Sequence, residues 1–531
     1  MAPTRMTLAG VLEGVRLRGV LAPEWAGMKV EGLEYDSRKV EKDTLFFAFA
    51  GARFDGRQFA REAEARGACA VVSELPRSED AANPIAISPA IPPAIPPTIP
   101  PAIPWIEVEH GRKALAIAAR NFYAQPDERV YFTGITGTNG KTTTAYLTDA
   151  ILRRPGGPTP APKALTAMIG TIEYRIGDEI RKAPNTTPES LDVIRLAAEL
   201  EQRGGRYLTM EASSHGLALA RVYGMQFHTA VFTNLTRDHL DFHQTMEEYA
   251  AAKRLLFSPA EGPSPQWAIL NADDPASESM LPSGDARVIW YGTSEKADLR
   301  AENIRSDFKG LRFDAVYQGQ RQAVESPLVG RINVSNILAA VGVGLSYGLD
   351  LTTIAEGIRT CPPVPGRFER VDGGQPFLVV VDYAHTDDAL RNVIRSAREL
   401  AVQAGKGRVI TLFGCGGDRD RTKRPLMGMA AAEASDFVVL TSDNPRSEDP
   451  LDIMNDVMVG LGRFDTPLVA EPDRAKAIAR ALSEAKAGDV VLLAGKGHET
   501  YQILKDRTID FDDRETARQV LQSLGYKKHG V

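Results

Sequence analysis

The chain has 531 residues, enough for about three or four domains at roughly 100–200 residues each. Hydrophobic residues make up 43% and charged residues 25%, the balance of a soluble globular protein, which excludes a disordered chain or a fibre. With 63 basic against 69 acidic residues the formal charge is −6. That offers no general attraction to nucleic acid or to an anionic membrane, so an anionic substrate must be held by local groups.

Three cysteines, Cys69, Cys361 and Cys415, cannot build a disulfide framework, and no CxxC or Cys/His metal spacing occurs. This predicts a reducing compartment. The N-terminus lacks the apolar core of a signal peptide. No run approaches the roughly 18–20 apolar residues of a membrane span. A cytoplasmic protein without membrane insertion is expected.

In chain order, Tyr35-Asp-Ser37-Arg38 precedes an apolar strand and Gly51-Ala52-Arg53-Phe54-Asp-Gly-Arg57 follows it. Residues 89–104 are a Pro-Ala-Ile-Pro tract. Proline fixes φ and lacks a donor, so an extended polyproline II surface insertion is predicted. Residues 105–109 read as a strand and 111–124 as a helix ending before Pro126. Val130–Ile135 is the next strand. Cys361-Pro-Pro-Val-Pro-Gly366 stops both helix and sheet. Beyond it, the apolar runs Phe377–Val381, Val409–Phe413, Phe437–Thr441 and Val490–Ala494 alternate with helical stretches. That pattern predicts a parallel sheet covered on both faces. The expected fold class is α/β, in three domains spanning 1–126, 127–362 and 363–531.

The sharpest local signal is Gly134-Ile-Thr-Gly137-Thr138-Asn139-Gly140-Lys141-Thr142-Thr143-Thr144, after a strand and before a helical run. Its glycines let backbone N–H groups face phosphate oxygens, and the helix N-terminus adds partial positive charge. Lys141 can span the β- and γ-phosphates, and Thr142 can offer its hydroxyl to Mg2+. The strict G-x4-G-K-[ST] spacing is not met, because Ile135 holds the first glycine position. Nucleotide binding follows; the reaction does not.

The variant Thr136-Gly-Thr-Asn-Gly-Lys-Thr142 resembles the loop of the Mur ligases and of their relative folylpolyglutamate synthase, and the resemblance extends over most of the chain. It implies an N-terminal UDP-substrate domain, a central P-loop-type ATPase domain and a C-terminal Rossmann-like domain. The activity implied uses ATP to turn a carboxylate into an acyl phosphate, which an amine attacks. Glu211, in Glu211-Ala-Ser-Ser-His215, and His239, in Asn234-Leu-Thr-Arg-Asp238-His239, would hold Mg2+, with Thr142 on the nucleotide-bound ion. Lys253, which alone reads as a helix-surface charge, matches the family lysine that CO2 converts to a carbamate (N6-carboxylysine), an anionic ligand for a second Mg2+. That chemistry needs a neutral amine, which burial or nearby cations favour. Lys141, Glu211, His239 and Lys253 form the expected catalytic set.

By the same resemblance, ATP would be sandwiched between domains. Gly137, Thr138, Asn139, Gly140, Lys141, Thr142 and Thr143 would meet its phosphates, and Asn333 and Asn336 the adenine. Arg367, Asp382 and His385 would approach from the C-terminal side. Ser37 and residues Ala52, Arg53 and Phe54 would contact the UDP moiety. Asp43 stands where the family commonly has a turn glycine, a tolerable exchange. Asn185, Thr186, Thr187, Ser213 and Arg221 would line the rest of that substrate. Leu219 replaces a glutamine of some relatives, so no side-chain contact is assigned there.

Ligands of open α/β sheets bind beyond the carboxyl ends of strands. Three C-terminal runs end in polar clusters: Gly414-Cys-Gly-Gly-Asp-Arg419, Asp443-Asn444-Pro445-Arg446 and Gly495-Lys-Gly-His-Glu499. Two arginines beside acidic and amide groups suit a zwitterion with an additional amino-acid end. Asp-Asn-Pro-Arg resembles the family's meso-diaminopimelate signature. The expected reaction joins meso-2,6-diaminopimelate to UDP-N-acetylmuramoyl-L-alanyl-D-glutamate, with ATP and two Mg2+ ions, by a monomer that takes small-molecule substrates only. The rivals are L-lysine addition, a folylpolyglutamate-type ligation, and a nucleotide-binding scaffold without catalysis.

Overall fold

The computed structural model describes residues 6–51, 55–77, 102–154, 164–405 and 407–527. Three α/β units follow one another, each around its own sheet. Residues 89–101 of the proline tract lie outside the described residues.

The N-terminal unit has four parallel strands paired in chain order: Gly32–Glu34, Thr44–Phe47, Ala68–Ser73 and Trp105–Glu107. Thr44–Phe47 is buried along its whole length, as expected of a strand covered on both faces. Asp43 enters it at φ 59°, the left-handed turn geometry in which a glycine or a short polar residue is tolerated. The helix Gly111–Phe122 turns Leu115, Ala118, Ala119 and Phe122 to the core. It stops short of the predicted Ala124 because Ala124 and Gln125 both take positive φ ahead of Pro126.

The central sheet has eleven strands. Seven run parallel, in the order Thr166–Ile169, Tyr207–Glu211, Tyr131–Thr136, Phe227–Phe232, Trp267–Asn271, Arg287–Gly292 and Leu299–Asp307. An antiparallel hairpin (Glu173–Ile176, Glu179–Lys182) flanks one edge, and Gly310–Tyr317 with Gln320–Ser326 flanks the other. Tyr131–Thr136 is thus an inner strand. Its carboxyl end opens between those of Tyr207–Glu211 and Phe227–Phe232.

The C-terminal sheet runs Glu369–Val371, Leu378–Asp382, Val490–Ala494, Val409–Phe413, Phe437–Leu440, Leu468–Ala470. All four predicted apolar runs are strands here, mutually parallel. Only Glu369–Val371 is antiparallel. Among the described residues no helix is long and apolar enough to cross a membrane.

The units meet differently. The Tyr35 hydroxyl donates to Asp192 at 2.5 Å, and Arg195 donates to Glu34 and to the Leu33 carbonyl at 2.8 and 3.2 Å. These bonds fix the N-terminal sheet to the helix Ser190–Gln202. The C-terminal unit reaches the central one through single side chains: Lys423 to Asp238 at 2.9 Å, Arg370 to the Phe308 carbonyl at 2.9 Å, and Asn139 to Asp388 at 3.4 Å.

Candidate functional site

A cleft of about 600 Å3 lies between the central and C-terminal sheets. Its floor is the loop after Tyr131–Thr136. Gly137 and Gly140 have φ of 143° and 86°, conformations that favour glycine. A Cβ at Gly137 would sit 1.9 Å from Thr233 Oγ1, and one at Gly140 would sit 2.3 Å from Asn336 Oδ1. The backbone therefore approaches its neighbours as only glycine allows, and the helix Lys141–Leu152 starts at the cleft. Asn234, after the adjacent strand, receives the Asn139 N–H on its Oδ1 at 2.9 Å and returns a bond to the Asn139 carbonyl at 3.1 Å.

Lys141 Nζ folds back onto the Gly137 and Thr138 carbonyls, at 2.9 and 2.8 Å. Burial pushes its pKa down, with Glu211 and Asp238 opposing. Thr142 donates to Glu211 Oε2 at 3.0 Å. Glu211 is buried and accepts also from the Thr171 N–H and hydroxyl, at 2.8 and 3.0 Å. Across the cleft, Arg367 Nη2 donates to Thr142 Oγ1 at 3.4 Å, and its guanidinium covers the Tyr383 ring at 4.6 Å. Arg367 Nη1 is buried without a partner among the described residues. An orphaned guanidinium N–H facing a lysine and a helix N-terminus is the chemistry of a polyphosphate site.

Lys253, predicted from its helical setting alone to be a surface charge, is 1% exposed. Its Nζ donates to the Gly137 carbonyl at 2.9 Å and lies 4.2 Å above the Tyr249 ring. Burial first, and then the neighbouring Lys141 charge, push its pKa well down, with Asp238 opposing. His239 takes φ 53°, and burial lowers its pKa to about 4 although Asp238 lies 3.5 Å away. Burial would raise the Asp238 pKa, but His239 and Lys423 hold it well below the usual carboxylate range. Among the described residues no three His, Cys, Asp or Glu side chains converge as a ready set of metal ligands.

The structure brings residues 137–143, Glu211, His239, Lys253, Asn333, Asn336, Arg367, Asp382 and His385 to this cleft, with Thr186 and Ser213 beside them. Asn333 and Asn336 are bonded to each other at 3.0 Å. Asp382 caps its own loop, accepting from the Phe368 and Ala384 N–H groups at 2.7 and 2.8 Å. Thr187 joins the Glu211 carbonyl to Ser213. Arg221 donates to the Thr187 carbonyl and to Glu189, which also receives Arg112 of the N-terminal unit. Asn185 is exposed. Ser37 is buried and donates to Glu62 at 2.8 Å. Ala52, Arg53 and Phe54 lie outside the described residues. Asn234, Asp238, Thr171, Tyr249 and Lys423 were not singled out as site residues. Asn234 carries a legible signal, since it lies just past the strand Phe227–Phe232 as Glu211 ends the neighbouring one.

The third set gathers at the carboxyl end of the C-terminal sheet, apart from the cleft lining. Asn444 donates to Glu499 Oε2 at 2.8 Å and accepts from Lys496 Nζ at 3.2 Å. Arg446, at φ 53°, donates to the Gly417 carbonyl at 2.8 Å. Asp443 is buried, and Gln502 donates to its carbonyl at 2.6 Å. A Cβ at Gly495 would meet Asp443 Oδ2 at 2.7 Å. Pro445 is buried, and Arg419 is exposed at the rim. The supports are buried arginines. Arg474 pairs with Asp513 at 2.6 Å and donates to the Ser442 and Ala494 carbonyls. Arg424 grips Glu448 and Asp456.

Comparison with known proteins agrees with this layout. Residues 29–123 match the Mur ligase family, catalytic domain; 135–344 the Mur ligase middle domain; and 366–497 the Mur ligase, glutamate ligase domain. A relative from Solibacter usitatus (strain Ellin6076), named UDP-N-acetylmuramoyl-L-alanyl-D-glutamate--2,6-diaminopimelate ligase, is 59% identical, over 98% of this chain and 99% of its own. One of the same name from Geobacillus thermodenitrificans is 44% identical, over 96% and 98%. A solved structure of a ligase of that name superposes with TM-score 0.66 at 30% identity, covering 99% of this chain and all of its own. MurF from Acinetobacter baumannii shares the fold, with TM-score 0.62 at 19% identity over 93% and 96%. The chain belongs to the Mur ligase family.

Proposed function

We propose that this ATP-dependent amide ligase of peptidoglycan precursor synthesis joins meso-2,6-diaminopimelate to the D-glutamate of UDP-N-acetylmuramoyl-L-alanyl-D-glutamate, in the cytoplasm. The unit spanning 1–126 takes the UDP end, 127–362 takes ATP, and 363–531 takes the amino acid. The observation that carries the amino-acid assignment is Arg446. It follows Asp443 and Asn444 in the loop that Asn444 ties to Glu499, yet neither it nor Arg419 has a carboxylate partner among the described residues. Two unpaired guanidinium groups suit a second, distal carboxylate, which L-lysine lacks.

In this reading the glutamate γ-carboxylate attacks the γ-phosphorus of ATP, ADP leaves, and the diaminopimelate amine displaces phosphate from the acyl phosphate. Lys141 leaves its loop carbonyls for the phosphates, and Arg367 adds its unpaired Nη1 from the other side. The buried pair of Thr142 hydroxyl and Glu211 carboxylate offers hard oxygen ligands that fit Mg2+. His239 would hold a further ion. Bound Mg2+ supplies charge neutralisation on the phosphates.

Lys253 is proposed to be carbamylated. Its neutral Nζ adds to the carbon of CO2, the N–C bond forms, a proton passes to water, and the resulting carboxylate becomes an anionic ligand. Its burial beside Lys141 favours the neutral amine this needs. NMR of protein in 13C-bicarbonate should show a carbamate resonance that K253R abolishes; an unmodified Lys253 at saturating CO2 would sink the assignment.

The test of the whole reading is phosphate release. It should require both the UDP-dipeptide and meso-diaminopimelate. Equal or better turnover with L-lysine would overturn the specificity, and release that needs neither substrate would overturn the ligase assignment.

A further inference from the structure

Lys496 belongs to none of the substrate or metal sets above, yet it is fully buried. It sits in the turn after the strand Val490–Ala494, between Gly495 at φ 110° and Gly497 at φ 50°. Neither glycine can be replaced without collision: a Cβ at Gly497 would lie 2.6 Å from the Tyr383 side chain, and one at Gly495 would press on Asp443. The turn is thereby pinned so that the lysine points inward. Its Nζ lies 3.2 Å from Asn444 Oδ1 and 3.2 Å from Glu499 Oε2. The Tyr501 ring lies beyond, at 5.7 Å.

Asn444 is nearly saturated. Its Oδ1 accepts from Lys496 and from the Ile503 N–H at 2.9 Å, and its Nδ2 donates to Glu499 Oε2. Glu499 Oε2 thus takes two bonds, while its Oε1 takes none from the described residues. Lys496 closes a three-membered ring of side chains across the ends of two strands. The ring fixes which oxygen of Glu499 is spent internally and which faces outward.

We propose that Lys496 is a positioning residue for the amino-acid substrate: it locks Asn444 and Glu499 together so that Glu499 Oε1 is presented to the incoming ammonium group. The proposal rests on the amino-acid assignment made above and names a residue that acts through its neighbours. A site whose contact residue is held by a buried supporting bond keeps its geometry; without that bond the carboxylate swings and binding weakens.

Steady-state kinetics of K496M, E499Q and the double variant K496M/E499Q test it. K496M should raise the KM for diaminopimelate at least tenfold, while the KM values for ATP and the UDP-dipeptide stay within about twofold. If Lys496 acts through Glu499, the double variant should be no worse than E499Q alone. K496R, which keeps a buried cation, should recover part of the loss. Additive losses, or an unchanged diaminopimelate KM in K496M, would overturn the proposal. So would a uniform rise in all three KM values with a lowered melting temperature, which marks a structural role. Should K496M not fold, E499Q against K496R/E499Q supplies the same comparison. Wild-type protein that does not turn over diaminopimelate would instead refute the substrate assignment.

Discussion

Arg367 places Nη2 3.4 Å from the Thr142 hydroxyl and keeps Nη1 buried with no partner among the described residues. One side chain of the C-terminal unit therefore spans the cleft to the helix that follows the glycine-rich loop. Replacing it by methionine removes a charge-assisted contact worth about 1.5–3 kcal/mol. ATP KM should rise about ten- to hundredfold in R367M, with diaminopimelate KM little changed, as read by initial rates of ADP formation.

Lys141 is held by two carbonyls of its own loop, a rest position that the phosphates must outbid. The folded chain should survive K141M, because the Gly137 carbonyl keeps its bond from Lys253 Nζ. Turnover should fall about 100- to 1000-fold, the usual loss when one preorganised donor to developing charge is deleted. Circular dichroism and single-turnover phosphate release separate the two effects.

Gly137 combines a positive φ with a forbidden Cβ position against Thr233. G137A should cost about 2 kcal/mol or more of stability, from backbone strain and overpacking together. Nucleotide protection against thermal unfolding should be weakened as well, since the same peptide units are proposed to meet the phosphates.

The Arg474–Asp513 pair is wholly buried and also ties down the Ser442 and Ala494 carbonyls. Breaking one partner strands a buried charge. D513N should destabilise the C-terminal unit by about 3–5 kcal/mol in urea unfolding. R474M/D513L should be milder than D513N, because no orphaned charge remains.

His498 lies against Tyr383, and its Nδ1 is buried without a partner among the described residues. Burial first, and then the charges of Arg367, Arg514 and Lys496, lower its pKa to about 3. The unfolded chain, near 6.5, binds the proton more readily. Between these values the unfolded state carries more protons, so stability rises with pH there. The contribution is complete above pH 6.5 and is lost as pH falls towards 3. Melting temperature should drop on acidification through this window, and H498Q should flatten the drop.

Much of this is legible in the sequence alone. Val409–Phe413 and Val490–Ala494 are strands at the predicted bounds, because uninterrupted β-branched and leucine runs bounded by turns have few other uses. The loop glycines and Lys141 were legible for a similar reason: the local chain carries its own geometry. Lys253 was not. A lysine after three alanines in a polar helix looks solvated, and only the packing of that helix against the phosphate loop buries it. The antiparallel strands Gly310–Tyr317 and Gln320–Ser326 were also missed, since their exposed faces mix charge with apolar residues. Lys423 and Asp238 meet over a separation of 185 residues, and nothing local to either marks the pair.

The N-terminal sheet is fastened by the Tyr35–Asp192 and Arg195–Glu34 bonds, whereas all three loops of the proposed amino-acid site hang from one sheet of the C-terminal unit. That division gives the molecule a heritable modularity. Side chains of the proposed amino-acid site can be exchanged at loop tips while the strands, the glycine-rich loop and the seam to the N-terminal unit stay unaltered. New substrate preferences are thus reachable by few mutations, and the intermediates along the way keep a working ATP site.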